Sequence, residues 1–86
     1  MKLVLNKDYG GFGHGVADEY EDWVRDIEFE SERTDPKLVE FVETHPNECG
    51  DLVVVEIPDE STDYYIDEND GFEDVAYVVN GKIYWK

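Results

Sequence analysis

The chain has 86 residues and a formal net charge of −16, because 23 Asp and Glu residues outnumber 7 Lys and Arg residues. A field of this sign repels polyanions, which excludes direct binding of nucleic acid and adsorption to an anionic membrane. The length indicates one domain, 1–86, and the apolar fraction of 41% with an aromatic fraction of 14% predicts a compact core.

The N-terminal segment predicts a buried strand followed by a glycine-rich turn. Residues 3–5 are Leu-Val-Leu, and four of the six residues in 10–15 are glycine. Glycines at this density indicate backbone with positive φ. A strand, a glycine loop and a helix in that order also occur in phosphate-binding sites, but the G-x-G-x-x-G and Gly-Lys-Ser/Thr spacings are absent. We therefore interpret 9–15 as a turn.

Two short helices are predicted next. The segment 16–25 predicts a helix, because apolar residues recur at i, i+4, i+7, i+8 and i+11 from Val16 to Ile27, which is one face of a helix. Residues 27–30 then alternate apolar and acidic side chains, which is typical of a short strand. A second helix begins with Thr34 or Asp35 as the N-cap and Pro36 in the first helical position, and it ends at His45-Pro46.

The last third of the chain, 52–86, predicts a β-meander. Its four apolar runs are separated by turn residues, and the most apolar run, 52–57, is typical of a central strand buried on both faces. Asn80-Gly81 between two strand segments predicts a type I′ hairpin turn. The predicted fold class is therefore α+β, with an antiparallel sheet, formed by the meander and the N-terminal strand, packed against two short helices.

Patterns of catalytic and metal-binding residues are weak throughout. Cys49 is the single cysteine, so no internal disulfide forms, and its acidic neighbours favour an unreactive thiol with a raised pKa. Neither His14 nor His45 belongs to an H-x-x-x-H pair. An EF-hand counted from Asp67 places Val78 at position 12, where a glutamate is required. The sequence thus predicts no catalytic residue, no metal site, no cofactor and no enzymatic activity.

Several segments spread along the chain together resemble one family of small proteins encoded by bacteriophages and prophages. The resemblance is carried by NKDYGGFG at 6–13, RTDPKLVE at 33–40, VEIPD at 55–59, YIDE at 65–68 and DG at 70–71. It implies a phage origin and the cytoplasm of a bacterial host, and it brings no catalytic residues. The chain departs from that family in a short acidic region before Arg33 and in the added hairpin 78–85.

The remaining candidate site is the acidic surface. Spaced carboxylates on a rigid scaffold imitate phosphates, and exposed tyrosines supply anchoring contacts. The predicted partner-binding residues are Asp18, Glu19, Asp22, Asp26, Glu28 and Glu30 in an N-terminal group, and Asp59, Glu60, Asp63, Asp67, Glu68, Asp70, Glu73 and Asp74 with Tyr64 and Tyr65 in a C-terminal group.

We expect these residues to bind the basic groove of a host nucleic-acid-binding protein or nuclease complex. The corresponding function is an anti-CRISPR or anti-restriction inhibitor that mimics DNA. An alternative is a non-enzymatic interaction module or homodimer that uses the exposed edge of the meander, whose binding should vary little with salt. A small hydrolase is a third reading, and it would require a deep pocket with a buried carboxylate or histidine.

Overall fold

The fold was described from a computed structural model, which describes residues 1–27 and 33–86. The predicted α+β class with two short helices is confirmed. Part of the predicted strand at 27–30 lies outside the described residues, as do Glu28, Glu30 and Glu32. The elements are β1 (Lys2–Asn6), α1 (Asp18–Arg25), α2 (Pro36–Thr44), β2 (Leu52–Glu56), β3 (Asp63–Asn69), β4 (Phe72–Val79) and β5 (Lys82–Trp85).

The described strands are divided between two antiparallel sheets. β1 pairs with β2, and β3, β4 and β5 form a separate three-stranded meander in sequence order. The prediction that 52–57 is a buried central strand is wrong, because 53–55 are only half-buried, whereas Leu3, Val4 and Leu5 of β1 are fully buried. Strand β1 is the buried strand because its two faces contact different parts of the core.

The core consists of two clusters on opposite faces of the β1–β2 pair. Val4 faces a cluster formed with both helices, which includes Val24 and Leu38. Leu3 and Leu5 face the meander, where they pack with residues such as Val75. Because side chains alternate along a strand, one apolar run in β1 supplies both clusters.

Local capping decides where the helices begin and end. In α2 the Asp35 carboxylate accepts a hydrogen bond from the Lys37 N–H at 2.8 Å, and Pro36 takes the first helical position, as predicted. Helix α1 begins at Asp18, two residues later than predicted. The preceding residues are held elsewhere, since Val16 forms a β-bridge with Cys49 and the Ala17 N–H donates to the Glu48 carbonyl at 2.9 Å.

Both turns of the meander have the same type I′ geometry. At the predicted Asn80-Gly81 turn, φ is 52° and 76°, and at Asp70-Gly71 it is 53° and 93°. A turn of two residues fixes the length of the connection between two strands, so it determines the register in which they pair. That register determines which side chains of β4 face the core and which face solvent.

Candidate partner-binding surface

Strand β4 separates the predicted binding residues into an inner and an outer face. Val75 lies on the inner face, so Glu73 and Tyr77 point inward with it, whereas Asp74 and Ala76 point outward. The same alternation applies to the partner residues on β3 and β5. The outer face of the meander is therefore the face that a partner can contact.

Glu73 does not belong to the surface, which corrects its assignment as a partner-binding residue. It is 5% exposed, and the two terminal nitrogens of Arg33 donate to its carboxylate oxygens at 2.5 and 2.9 Å. The backbone N–H of Asn6 donates to the same carboxylate at 2.8 Å. The guanidinium of Arg33 also stacks over the ring of Phe12, with 3.8 Å between its central carbon and the ring centroid. Glu73 is thus a core residue that joins β1, β4 and the segment before α2.

The two predicted tyrosine anchors lie on opposite faces. Tyr64 is opposite Tyr77 on the inner face. It is half-buried and packs against the core cluster that contains Leu3, Leu5 and Val75. Tyr65 is opposite Ala76 on the outer face and is 51% exposed. Of the two, Tyr65 is the one presented to a partner.

Most of the predicted carboxylates are exposed. Asp74 is half-buried and accepts a hydrogen bond from the Lys7 ammonium at 2.7 Å, which leaves it partly neutralised. Asp59 pairs with the N-terminal amine, which lowers the pKa of its carboxyl group. The exposed predicted carboxylates are Asp18, Glu19, Asp22, Asp26, Asp59, Glu60, Asp63, Asp67, Glu68 and Asp70.

Helix α1 carries a row of carboxylates on its exposed side. Asp18, Asp22 and Asp26 are four residues apart, which spaces them by about 6 Å along the axis. Within the described ranges, none of the three has an ion-pair partner, and Arg25, the basic residue of this helix, pairs with Glu21 instead. The helix therefore presents an unneutralised negative stripe, the α1 row.

Strand β3 carries a second group on the outer face of the meander. Asp63 and Asp67 lie on either side of Tyr65 and are separated by about 13 Å, because a strand rises roughly 3.3 Å per residue. Asp67 lies directly opposite Asp74, a like-charge pair that the contact of Lys7 with Asp74 partly offsets. We call Asp63, Tyr65 and Asp67 the β3 row.

Most of the basic side chains form ion pairs within the molecule. Lys2 binds Glu43 at 2.9 Å, and Lys7, Arg25 and Arg33 each pair with a carboxylate. Counting only pairs between described residues, four of the seven basic residues are thus paired within the molecule. The negative charge on α1 and β3 is left to act on an external partner.

The terminal hairpin has a different surface, whose exposed apolar side chains the sequence analysis did not identify. Ile83 and Trp85 of β5 are 62% and 61% exposed, and Trp85 lies opposite Ala76 on the outer face. Residues 75–86 contain no Asp or Glu and two lysines, in a chain with 23 acidic residues. This gap in the acidic pattern is the sequence feature that could have revealed the patch. We call the outer-face residues Tyr65, Ile83 and Trp85 the apolar patch.

A second feature missed by sequence reasoning is a cluster of Asp8, His14 and Asp51. Their side-chain oxygen and nitrogen atoms all lie within 4.8 Å of one another, and His14 Nδ1 is 3.2 Å from Asp8 Oδ2. Asp8 follows β1, His14 lies in the glycine-rich loop and Asp51 lies in the turn before β2. Sequence motifs for metal sites place their ligands within a short segment, so they do not detect ligands that are this far apart in the chain.

Comparisons of the chain with protein-family models, curated proteins and solved structures give no match. The resemblance to phage proteins therefore stays a prediction. Neither α1 nor α2, the helices in the described ranges, has the length and apolar character needed to cross a membrane.

Proposed function

We propose that this chain is a non-enzymatic inhibitor of phage origin that acts in the cytoplasm of a bacterial host. Its partner is the basic groove in which a defence nuclease complex, of the CRISPR or restriction type, binds nucleic acid. The observation that carries this proposal is the state of the predicted carboxylates: ten are exposed, and nine of these have no ion-pair partner within the described ranges.

The two carboxylate rows suit such a groove because they are held on regular backbone. The α1 row repeats at about 6 Å along a helix, and the β3 row places an exposed aromatic ring between two carboxylates. Lys and Arg side chains that normally contact phosphates would pair with the carboxylates, and Tyr65 would supply an anchoring contact. Binding driven in this way is fast and falls steeply as salt rises.

The β3 row provides the first prediction. The double substitution Asp63→Asn with Asp67→Asn should weaken binding to the nuclease complex at least about tenfold, because a hydrogen bond to a charged group contributes roughly 1.5–3 kcal/mol. It should also reduce the slope of log Kd against log salt. The measurement is displacement of nucleic acid from the complex, first captured from host lysate, across a series of KCl concentrations.

A matched control changes the net charge equally on other surfaces. Glu40 and Glu56 are exposed and lie on α2 and β2, so the Glu40→Gln, Glu56→Gln variant should retain most of the affinity. Equal losses in both variants would contradict the placement of the β3 row in the interface. Failure of the wild-type chain to displace nucleic acid from any host defence complex would overturn the function itself.

A second candidate function, homodimerisation without nucleic-acid mimicry, is favoured by the apolar patch and the edge strand beside it. Among the strands in 1–27 and 33–86, β5 pairs with β4 alone, so its other backbone edge has no partner strand there. Two copies carrying −16 each repel wherever their acidic surfaces meet. The segment 75–86, with two lysines and no carboxylate side chain, is where they can approach.

The dimer reading predicts a concentration-dependent increase in mass that does not weaken with salt. Replacing Ile83 with Thr and Trp85 with Ser should abolish this increase in mass. The control is Tyr9→Ser, which removes a 66% exposed aromatic side chain outside the apolar patch and should leave the increase unchanged. Sedimentation velocity at several protein and salt concentrations measures both. A wild-type chain that stays monomeric at every concentration rules out the dimer.

A further inference from the structure

We propose that Asp8, His14 and Asp51 form a binding site for a divalent transition-metal ion such as Zn²⁺. This inference is independent of the proposed function, because the three residues lie outside both carboxylate rows and the apolar patch. It assigns a role to the glycine-rich loop, which nucleic-acid mimicry leaves without one.

The geometry of the three side chains fits one ion. Their candidate ligand atoms lie within 4.8 Å of one another. Around a tetrahedral zinc, with bonds of about 2.0–2.2 Å, neighbouring ligand atoms are roughly 3.4 Å apart. The observed contact between His14 Nδ1 and Asp8 Oδ2, 3.2 Å, already matches that spacing.

The electrostatics of the cluster favour a cation between the carboxylates. Asp8 and Asp51 bring carboxylate oxygens within 4.8 Å of each other, in a chain whose net charge is already −16. Two carboxylates this close need a shared proton, an imidazolium or a metal ion.

The glycine-rich loop is shaped to deliver the imidazole. A Cβ on Gly10 would overlap the ring of His14. Gly13 has a φ of 89°, in the region that favours glycine. Across the site, a Cβ on Gly50 would come within 2.5 Å of the His14 carbonyl oxygen, so the turn that carries Asp51 can approach the loop because residue 50 is also glycine.

The ligand set selects the class of metal. Calcium and magnesium prefer six or more oxygen ligands, whereas an imidazole nitrogen with two carboxylates suits zinc and its neighbours in the first transition series. Three protein ligands leave at least one coordination position for water or an external group.

The test is titration of the full chain with Zn²⁺ by calorimetry, and with Co²⁺ followed by its visible absorption, in physiological KCl with excess Mg²⁺. One ion should bind per chain, and Asp51→Asn or His14→Gln should weaken binding by more than about 100-fold, beyond the loss typical of residues that merely support a ligand. His45→Gln, which removes the other imidazole, should bind like wild type. So should Asp63→Asn with Asp67→Asn, because general attraction of cations to the acidic surface is screened under these conditions.

A second measurement uses the unaltered chain, so its result does not depend on whether a variant folds. Addition of Zn²⁺ should shift the NMR signals of the His14 ring and leave those of the His45 ring in place. Binding that is abolished by the excess Mg²⁺, that is unchanged in both ligand variants, or that shifts the two rings equally would overturn the site.

Discussion

Replacing Glu73 with Ala is expected to lower the free energy of unfolding by about 3–5 kcal/mol, the usual consequence of removing one partner of a buried ion pair. Small domains have a total stability of roughly 5–15 kcal/mol. The loss is therefore a large fraction of the total, and it would leave a domain at the lower end of that range largely unfolded at room temperature. No other single carboxylate in the described ranges has comparable burial and as many partners.

The effect is large because the substitution removes the acceptor of the Asn6 N–H and leaves the Arg33 guanidinium with one long hydrogen bond, to the Val4 carbonyl at 3.5 Å. Arg33 is 4% exposed, so its guanidinium would remain charged in the core. The backbone N–H of Asn6 would lose its hydrogen bond to the Glu73 carboxylate. Within the described residues the Nε of Arg33 already has no hydrogen-bond partner. An uncompensated buried charge costs far more than the ion pair contributes when it is intact.

Urea unfolding followed by tryptophan fluorescence measures this prediction. Glu60→Ala, at an exposed turn position, is the matched control and should change the stability by no more than about 0.5 kcal/mol. Removing both charges with Arg33→Met and Glu73→Met should recover much of the loss, because buried pairs are often replaceable by apolar residues. A Glu73→Ala variant as stable as the control would contradict the core role of the pair.

The second large effect is expected at the tip of the β3–β4 hairpin, where Gly71→Ala should cost about 3 kcal/mol or more. Gly71 has a φ of 93°, which an alanine adopts with a penalty of roughly 1–2 kcal/mol. In addition, its Cβ would come within 2.8 Å of the Gly11 Cα and 2.9 Å of the Tyr9 carbonyl oxygen. Both are backbone atoms, so relief requires the glycine-rich loop to move.

The chain contains its own control for this substitution. Gly81 occupies the same position of an equivalent type I′ turn, with a φ of 76°, but a Cβ there would have no atom within 4 Å. Gly81→Ala should therefore cost only the backbone term, about 1–2 kcal/mol. The difference between the two variants in thermal or urea unfolding isolates the contact between the hairpin and the loop. Equal losses would show that this contact contributes nothing.

Gly71→Ala also has a consequence for the proposed metal site. Displacing the loop at Gly11 should move His14 away from Asp8, so this variant should lose zinc affinity as well as stability, whereas Gly81→Ala should retain the affinity. The Asn6 side chain couples the same regions, because its amide donates to the carbonyl oxygens of Asp8 and Gly71 at 2.8 Å each.

Features that depend on neighbours a few residues apart could be predicted from the sequence. The Asp35-Pro36 helix start, the end of that helix at His45 and the Asn80-Gly81 turn all follow from side-chain and backbone preferences within one turn of chain. The α+β class follows from the same local periodicities. The net charge is likewise a property of composition, since it is a sum over side chains and is independent of how they are arranged.

Tertiary structure alone decided which of those charges reach the surface. Glu73 lies among acidic residues in the sequence, but strand alternation turns it inward, where Arg33, 40 residues earlier in the chain, neutralises it. Pairing across 65 residues or more likewise couples β1 with β4 through Asn6. The division of the strands into two sheets and the meeting of Asp8, His14 and Asp51 have the same origin. Such contacts arise when distant segments are brought together to bury apolar surface, and no pattern within a single segment encodes them.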